Sequence, residues 1–244
     1  MNICKEFMEK TKYQNMKEES PQEKGVEQPP LQKPYEDGLE LIDLPEPTDL
    51  ELENINLKDL FEQRRSLRSY SDQELSQEEL SYLLWMTQGV KKEVKDKATF
   101  RTVPSAGARH AFETYLLINN VDGLDNGIYR YLAIEHKLLP YKFEDKITEK
   151  VVEACLKQKF VGESAITFIW VADVERMTWR YQERSYRYLH LDAGHVCQNL
   201  YLASESIDAG VCAIAAYSDD AINELLEIDG QNEFVIYMAT VGKK

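Results

Sequence analysis

Two apolar runs, Ala165–Ala172 (AITFIWVA) and Phe234–Val241 (FVIYMATV), constrain this chain more than any other feature. Each has the length of a strand and lacks polar alternation, the pattern of a strand covered on both faces. Such strands need a layer above and a layer below. Neither run approaches the roughly 20 apolar residues of a membrane-spanning helix. Thr114–Ile118 (TYLLI) reads as a further strand from its β-branched and aromatic content. Asp125-Asn126-Gly127 is a turn signal leading into another strand over Ile128–Leu132.

Helix signals alternate with these strands. Asn56 is placed as an N-cap before Leu57, Leu60 and Phe61 at i, i+3, i+4 spacing. Ser76-Gln77-Glu78-Glu79 forms a capping box ahead of Leu80, Leu83 and Leu84, with Gly89 at the far end. Ser218 caps a last helix through Leu225 and Leu226. Tyr186–Ser204 is apolar nearly all round, so it must be buried in a large core or across a subunit interface. The alternation predicts an α+β or α/β core, without internal repeats.

The charge is uneven. Net charge is −14, from 29 basic and 43 acidic side chains, and residues 1–56 hold 14 of the acidic and 6 of the basic ones. That segment also carries six of the eight prolines and three aromatics. It has too little apolar surface to offset its ordering entropy, so residues 1–55 are expected to form an acidic, Pro-rich tail, disordered to about residue 30 and extended beyond. The domain proper then spans 56–244. An acidic chain is a poor partner for nucleic acid, whose binding draws on Lys and Arg at phosphates. Cys4, Cys155, Cys197 and Cys212 lack the close spacing of a zinc or redox motif, and the last three read as buried small hydrophobes. With no secretory pattern near Lys5–Lys12, the expectation is a cytoplasmic protein that neither spans nor binds a membrane.

Three stretches could carry chemistry. Arg64-Arg65-Ser66-x-Arg68 puts three guanidiniums and a hydroxyl where a helix ends. A helix C-terminus repels anions, so a phosphate there needs side-chain donors, and arginine supplies a planar fork matched to its oxygens. The plain alternative is a solvated basic turn. Pro104-Ser105-Ala106-Gly107, followed by Ala108, Arg109 and His110, is a run of small residues that would let backbone lie against a flat ligand. Its alternative is an ordinary tight loop, with His110 exposed. Gly210–Tyr217 (GVCAIAAY) is small again, and by itself reads as core packing. Asp192 and His195, at i, i+3, have the spacing of a catalytic dyad, but on the apolar helix they read as a polar pair satisfying each other. His190 and His195 fall on different helix faces, so no metal site is expected. Neither glycine-rich nucleotide fingerprint is present.

Taken in this order, RRSxR, PSAG and AGHxxQN…GVCAIAAY resemble the nitroreductase family over residues 56–244. More narrowly, PSAGxxH and Arg180-Tyr181-x-x-Arg184-x-Tyr186-Arg187 resemble its SagB-type dehydrogenase branch. The resemblance implies an α+β fold with a central, mostly antiparallel sheet flanked by helices, and a long buried central helix at a homodimer interface. It implies an oxidoreductase with one FMN per subunit. By similarity, Arg64, Ser66 and Arg68 hold the phosphate and ribityl chain, with Arg65 helping. Pro104, Ser105, Ala106 and Gly107 pack on the isoalloxazine from the partner subunit, with His110 near a ring carbonyl. Ala213, Ile214, Ala215 and Ala216 lie over the ring, an amide of Ala215 or Ala216 near N5. Arg101 or Arg109 supplies a cation at the pyrimidine edge, and Lys243 a further phosphate contact. The implied cycle is ping-pong, with hydride arriving from NAD(P)H or an organic donor and leaving to an acceptor that the sequence does not name.

One departure bears on the substrate. Azole-forming members of the branch carry a Lys-Tyr pair where this chain has Arg180-Tyr181. Arginine holds its proton too tightly to act as a general base, which weighs against oxidation of a peptide thiazoline or oxazoline. Tyr181 remains a candidate proton donor or relay. Three readings therefore stand: an FMN oxidoreductase of small molecules, a peptide azoline dehydrogenase, and a flavin-binding regulator without turnover.

Overall fold

The structure, a computed structural model, describes residues 2–52, 55–95 and 97–244. Its strands are β1 (Ile42–Asp43), β2 (Val90–Val94), β3 (Ala98–Arg101), β4 (Phe112–Ile118), β5 (Gly127–Leu132), β6 (Lys137–Lys142), β7 (Ile166–Asp173), β8 (Ala209–Ile214) and β9 (Glu233–Lys243). The helices are α1 (Ile3–Lys10), α2 (Leu57–Gln63), α3 (Gln77–Gln88), α4 (Ile147–Ala154), α5 (Phe160–Glu163), α6 (Val174–Tyr181), α7 (Ser185–Glu205) and α8 (Asp219–Leu225). Seven strands make one antiparallel sheet in the order β1-β6-β5-β4-β7-β9-β8, and β2 pairs with β3 apart from it.

Strand alternation builds the layers. On β7, Ile166, Phe168, Trp170 and Ala172 enter a core shared with α3 and α7, while Ile169 and Val171 enter a second core with α4 and α8. The sheet is thus covered on both faces, as its two apolar runs require. Burying each large apolar side chain stabilises the fold by about 1.5–3 kcal/mol. The capping box at Ser76–Glu79 is formed, and the Asn56 side chain accepts from the Lys58 amide. Ser218 occupies the N-cap of α8, but its hydroxyl makes no capping bond. No helix among the described residues is long and apolar enough to cross a membrane.

Within one chain, α7 is covered on one side only. Leu189, Val196, Cys197 and Leu200 are buried, whereas Leu191 is 60% exposed. Gly194, His195 and Gln198 share that open side, and a Cβ on Gly194 would meet nothing within 4 Å.

The N-terminal segment departs from the expected disorder. Met1, Glu53 and Asn54, which that expectation also covered, lie outside the described residues. The rest is laid along the domain: β1 adds to the sheet edge at β6, and residues 8–26 run over the α6–α7 elbow. Side-chain donors supply what apolar content lacks. Arg184 donates to the Thr11 carbonyl (2.6 Å), and Arg187 to the Met8 carbonyl (2.6 Å) and the Thr11 hydroxyl (2.7 Å). The Trp179 indole donates to the Val26 carbonyl, and the Arg184 guanidinium stacks 4.2 Å over the Tyr13 ring. Composition alone misses such docking because the partners sit more than 150 residues away. Removing both guanidiniums (Arg184→Ala with Arg187→Ala) should speed amide exchange over residues 3–16 by tenfold or more, as lost bonds to charged donors imply. Protection in β4 and β7 should not change; equal protection in the variant and the parent would refute the docking role.

Candidate functional site

Past α2 the backbone leaves helical geometry at Arg64 (φ −50°, ψ 121°) and runs beside the edge strand β8. Ser66 forms a parallel bridge with Val211, and the Leu67 amide donates to the Val211 carbonyl (2.8 Å). Gly210 makes this approach possible, since a Cβ there would lie 2.4 Å from Leu67 Cδ2 and 2.8 Å from Leu67 Cβ. The pairing brings the basic turn up to the small-residue stretch that follows. Tyr201 on α7 ties the two together. Its hydroxyl lies 3.0 Å from Ser66 Oγ and accepts from the Ala213 amide at 3.0 Å, and the Arg64 guanidinium stands 5.4 Å from its ring centre. Burial raises the pKa of Cys212 while Arg68, in contact with the thiol, opposes that rise.

The arginine ion pairs among the described residues belong to Arg176. Arg64, Arg65 and Arg68 therefore present charges with no carboxylate partner among those residues. Ala215 and Ala216 are exposed, with the Ala216 carbonyl accepting from Gln158 Nε2 (2.7 Å). Ile214 points into the α4–α8 core, so only its backbone faces this surface.

The second group forms around the loop at Ser105. Asp192 accepts from Ser105 Oγ (2.7 Å) and from the Ala106 amide (3.2 Å). Gly107 is left-handed (φ +59°), and a Cβ on it would come 2.5 Å from the Tyr181 hydroxyl and 3.2 Å from an Arg180 guanidinium nitrogen. Pro104 and Gly107 are exposed. Asp192 and Tyr201 stand nine residues apart on α7, about 13 Å along the helix axis. Within one chain the loop and the arginine turn are therefore separate surfaces, joined by one helix.

Several sequence expectations change here. His110 is buried rather than exposed, and burial with Arg101 nearby pushes its pKa down to about 3, so the ring is neutral. Lys243 is buried with its ammonium on Glu79 and the Ile207 carbonyl, and so is already neutralised instead of free for a phosphate. Arg101 is interior, bonded to Thr99 and Gln88. Arg109 is interior too, donating to the Arg176 carbonyl and lying 4.8 Å over the Trp179 ring. Neither reaches an open ligand surface. Asp192 and His195 are 4.0 Å apart, with the carboxylate turned to the loop rather than to the histidine. Tyr201 was not singled out by the sequence, and Asp192 was read there as a partner of His195 rather than of the loop. Their only signal was a polar group on an otherwise apolar helix face.

A family model described as the nitroreductase family matches residues 61–243. A candidate nitroreductase of Methanocaldococcus jannaschii is 35% identical over 194 residues, 80% of this chain and 94% of that protein. The chain belongs to the nitroreductase family. The match takes in the arginine turn, the Ser105 loop, Tyr181 and β8, and leaves the docked N-terminal segment outside. A second relative, the trifolitoxin-processing protein TfxB of Rhizobium leguminosarum bv. trifolii, is 28% identical over 133 residues. That alignment covers 53% of this nitroreductase-family chain and only 36% of the relative. Among solved structures, a candidate nitroreductase of Desulfovibrio desulfuricans in complex with FMN shares the fold, with a TM-score of 0.54 at 16% identity over 78% of this chain and 85% of that one.

Proposed function

We propose that this chain is an FMN-dependent oxidoreductase working as a homodimer. One observation carries the reading: the Ser66–Val211 bridge sets Arg64, Ser66 and Arg68, with no carboxylate partner among the described residues, beside the small-residue stretch Ala213–Ala216, of which Ala215 and Ala216 are exposed. That donor set fits a phosphate, because arginine forks and hydroxyls complement its oxygens. Arg64, Ser66 and Arg68 would hold the phosphate and ribityl chain, with Arg65 helping and Tyr201 fixing Ser66. The Ala213–Ala216 backbone would lie along one side of the ring system. The Pro104–Gly107 loop of a second copy would supply the other wall, which accords with the separation of loop and cradle along α7 and with the open side of that helix. Bound flavin supplies the two-electron chemistry, between NAD(P)H or an organic donor and an acceptor. The chain's part is to orient, to keep water out, and to offer the Tyr181 hydroxyl as a proton donor beside the loop.

The likeness to a trifolitoxin-processing protein favours a second reading, oxidation of an azoline-bearing peptide. Arg180, where the azole-forming enzymes carry lysine, weighs against it. An absorbance spectrum of the purified protein before and after anaerobic NADPH or NADH separates the cases. Flavin bands that bleach are the expected result. Bands that neither nucleotide bleaches, but that an azoline peptide does, select the peptide reading, and bands that no donor bleaches select a regulator. A protein that takes up no flavin when incubated with FMN sinks the proposal.

A further inference from the structure

We infer that Asp192 is the positioning residue of the Ser105–His110 loop, and that it fixes where this loop presents its backbone at the flavin. The inference rests on the reading of the flavin site given above. The loop is held in an unfavourable backbone conformation. Gly107, Ala108 and His110 have φ of +59°, +53° and +45°. Left-handed backbone costs energy at alanine and histidine and persists only where surrounding contacts impose it.

Those contacts converge on one carboxylate. Asp192, 5% exposed, receives the Ser105 hydroxyl and the Ala106 amide, and Ser105 Oγ in turn accepts from the His110 amide (2.9 Å). One side chain on α7 thereby ties the start and end of the turn. The outer side of the loop has no slack, because Gly107 abuts the Tyr181 hydroxyl. Releasing the carboxylate lets the loop relax and shifts Gly107 against Tyr181 and Arg180. Burying a carboxylate in a helix face that apolar side chains could fill is costly unless donors meet it. Here the donors are those of the loop, since His195 stands 4.0 Å off and is mostly exposed. Sites that bind a flat ligand need wall placement to a few tenths of an ångström, so a held loop is what such a site requires.

The test uses the full-length protein with Asp192→Ala, Asp192→Asn and Ser105→Ala, read in two ways. Amide exchange at residues 105–110, measured without flavin, should quicken about tenfold or more in Asp192→Ala. It should quicken less in Asp192→Asn, which keeps one acceptor oxygen, and in Ser105→Ala, which keeps the amide bond. With FMN added, the visible circular dichroism of bound flavin should change and its dissociation constant rise about tenfold in Asp192→Ala, with partial return in Asp192→Asn. Parental exchange at 105–110 in Asp192→Asn and Ser105→Ala overturns the inference even if Asp192→Ala fails to fold. Faster loop exchange with an unchanged flavin spectrum and affinity also overturns it, because the loop would then not stand at the flavin. Failure of the parent protein to take up FMN is a different result. It removes the flavin reading, whereas the exchange data still report on the clamp.

Discussion

Replacing Glu113 by alanine is expected to lower stability by about 3 kcal/mol, the lower end of the cost of breaking a buried ion pair, because Asp173 still pairs with Arg176 at 3.0 Å. Glu113 is 3% exposed and pairs with Arg176, 1% exposed, at 2.6 Å. It also accepts the Lys33 amide at 2.7 Å, and Arg101 and Arg130 lie close enough to act on it or be acted on. Among the described residues Arg176 Nη1 and Arg130 Nε have no hydrogen-bond partner, so the cluster already carries more donors than its acceptors can satisfy. For a chain of this size the melting temperature should fall by on the order of 10 °C. Burial pushes the Glu113 pKa up, and Arg176, the Lys33 amide and Arg130 more than reverse this, leaving it lowered. A lowered folded-state pKa means that the unfolded chain binds more protons. The contribution is therefore complete above the ordinary glutamate value of about 4.3 and is lost as pH falls through the folded value. Thermal melts from pH 7 to pH 3 should show the parent losing stability in acid, with Glu113→Ala less sensitive. A melting temperature unchanged by the substitution would show that the pair contributes nothing net.

Arg64→Ala is expected to weaken FMN binding by about ten- to a hundredfold, the range for losing a hydrogen bond to a charged group. Adding Arg68→Ala should weaken it further, while Arg64→Lys should fall between, since lysine keeps the charge and loses the fork. Both arginines sit at the surface in a turn whose course is set by backbone bonds to Val211, so the flavin-free protein should melt within a few degrees of the parent. Quenching of flavin fluorescence on titration reads the affinity. Parental affinity in the double variant would show that the phosphate is held elsewhere.

Local patterns determined much of this protein before any tertiary contact was known. The runs at 165–172 and 234–241 are central strands because continuous apolar sequence of that length has nowhere to go but between two layers. The caps at Asn56 and Ser76 follow from hydrogen bonds within three residues. The donors of the arginine turn are adjacent in sequence, so their gathering on one turn was legible as well. Tertiary structure decided which polar groups remained available. His110, Arg101, Arg109 and Lys243 have side chains suited to a ligand, but Thr99, Gln88, the Arg176 carbonyl and Glu79 already engage or surround them. What Asp192 and Tyr201 hold was hidden for the same reason. Their partners Ser105 and Ser66 are 87 and 135 residues away, and a helix pattern records burial but not what lies across the gap. The docking of the acidic N-terminal segment was decided there too, because its order comes from donors on the α6–α7 elbow rather than from a core of its own.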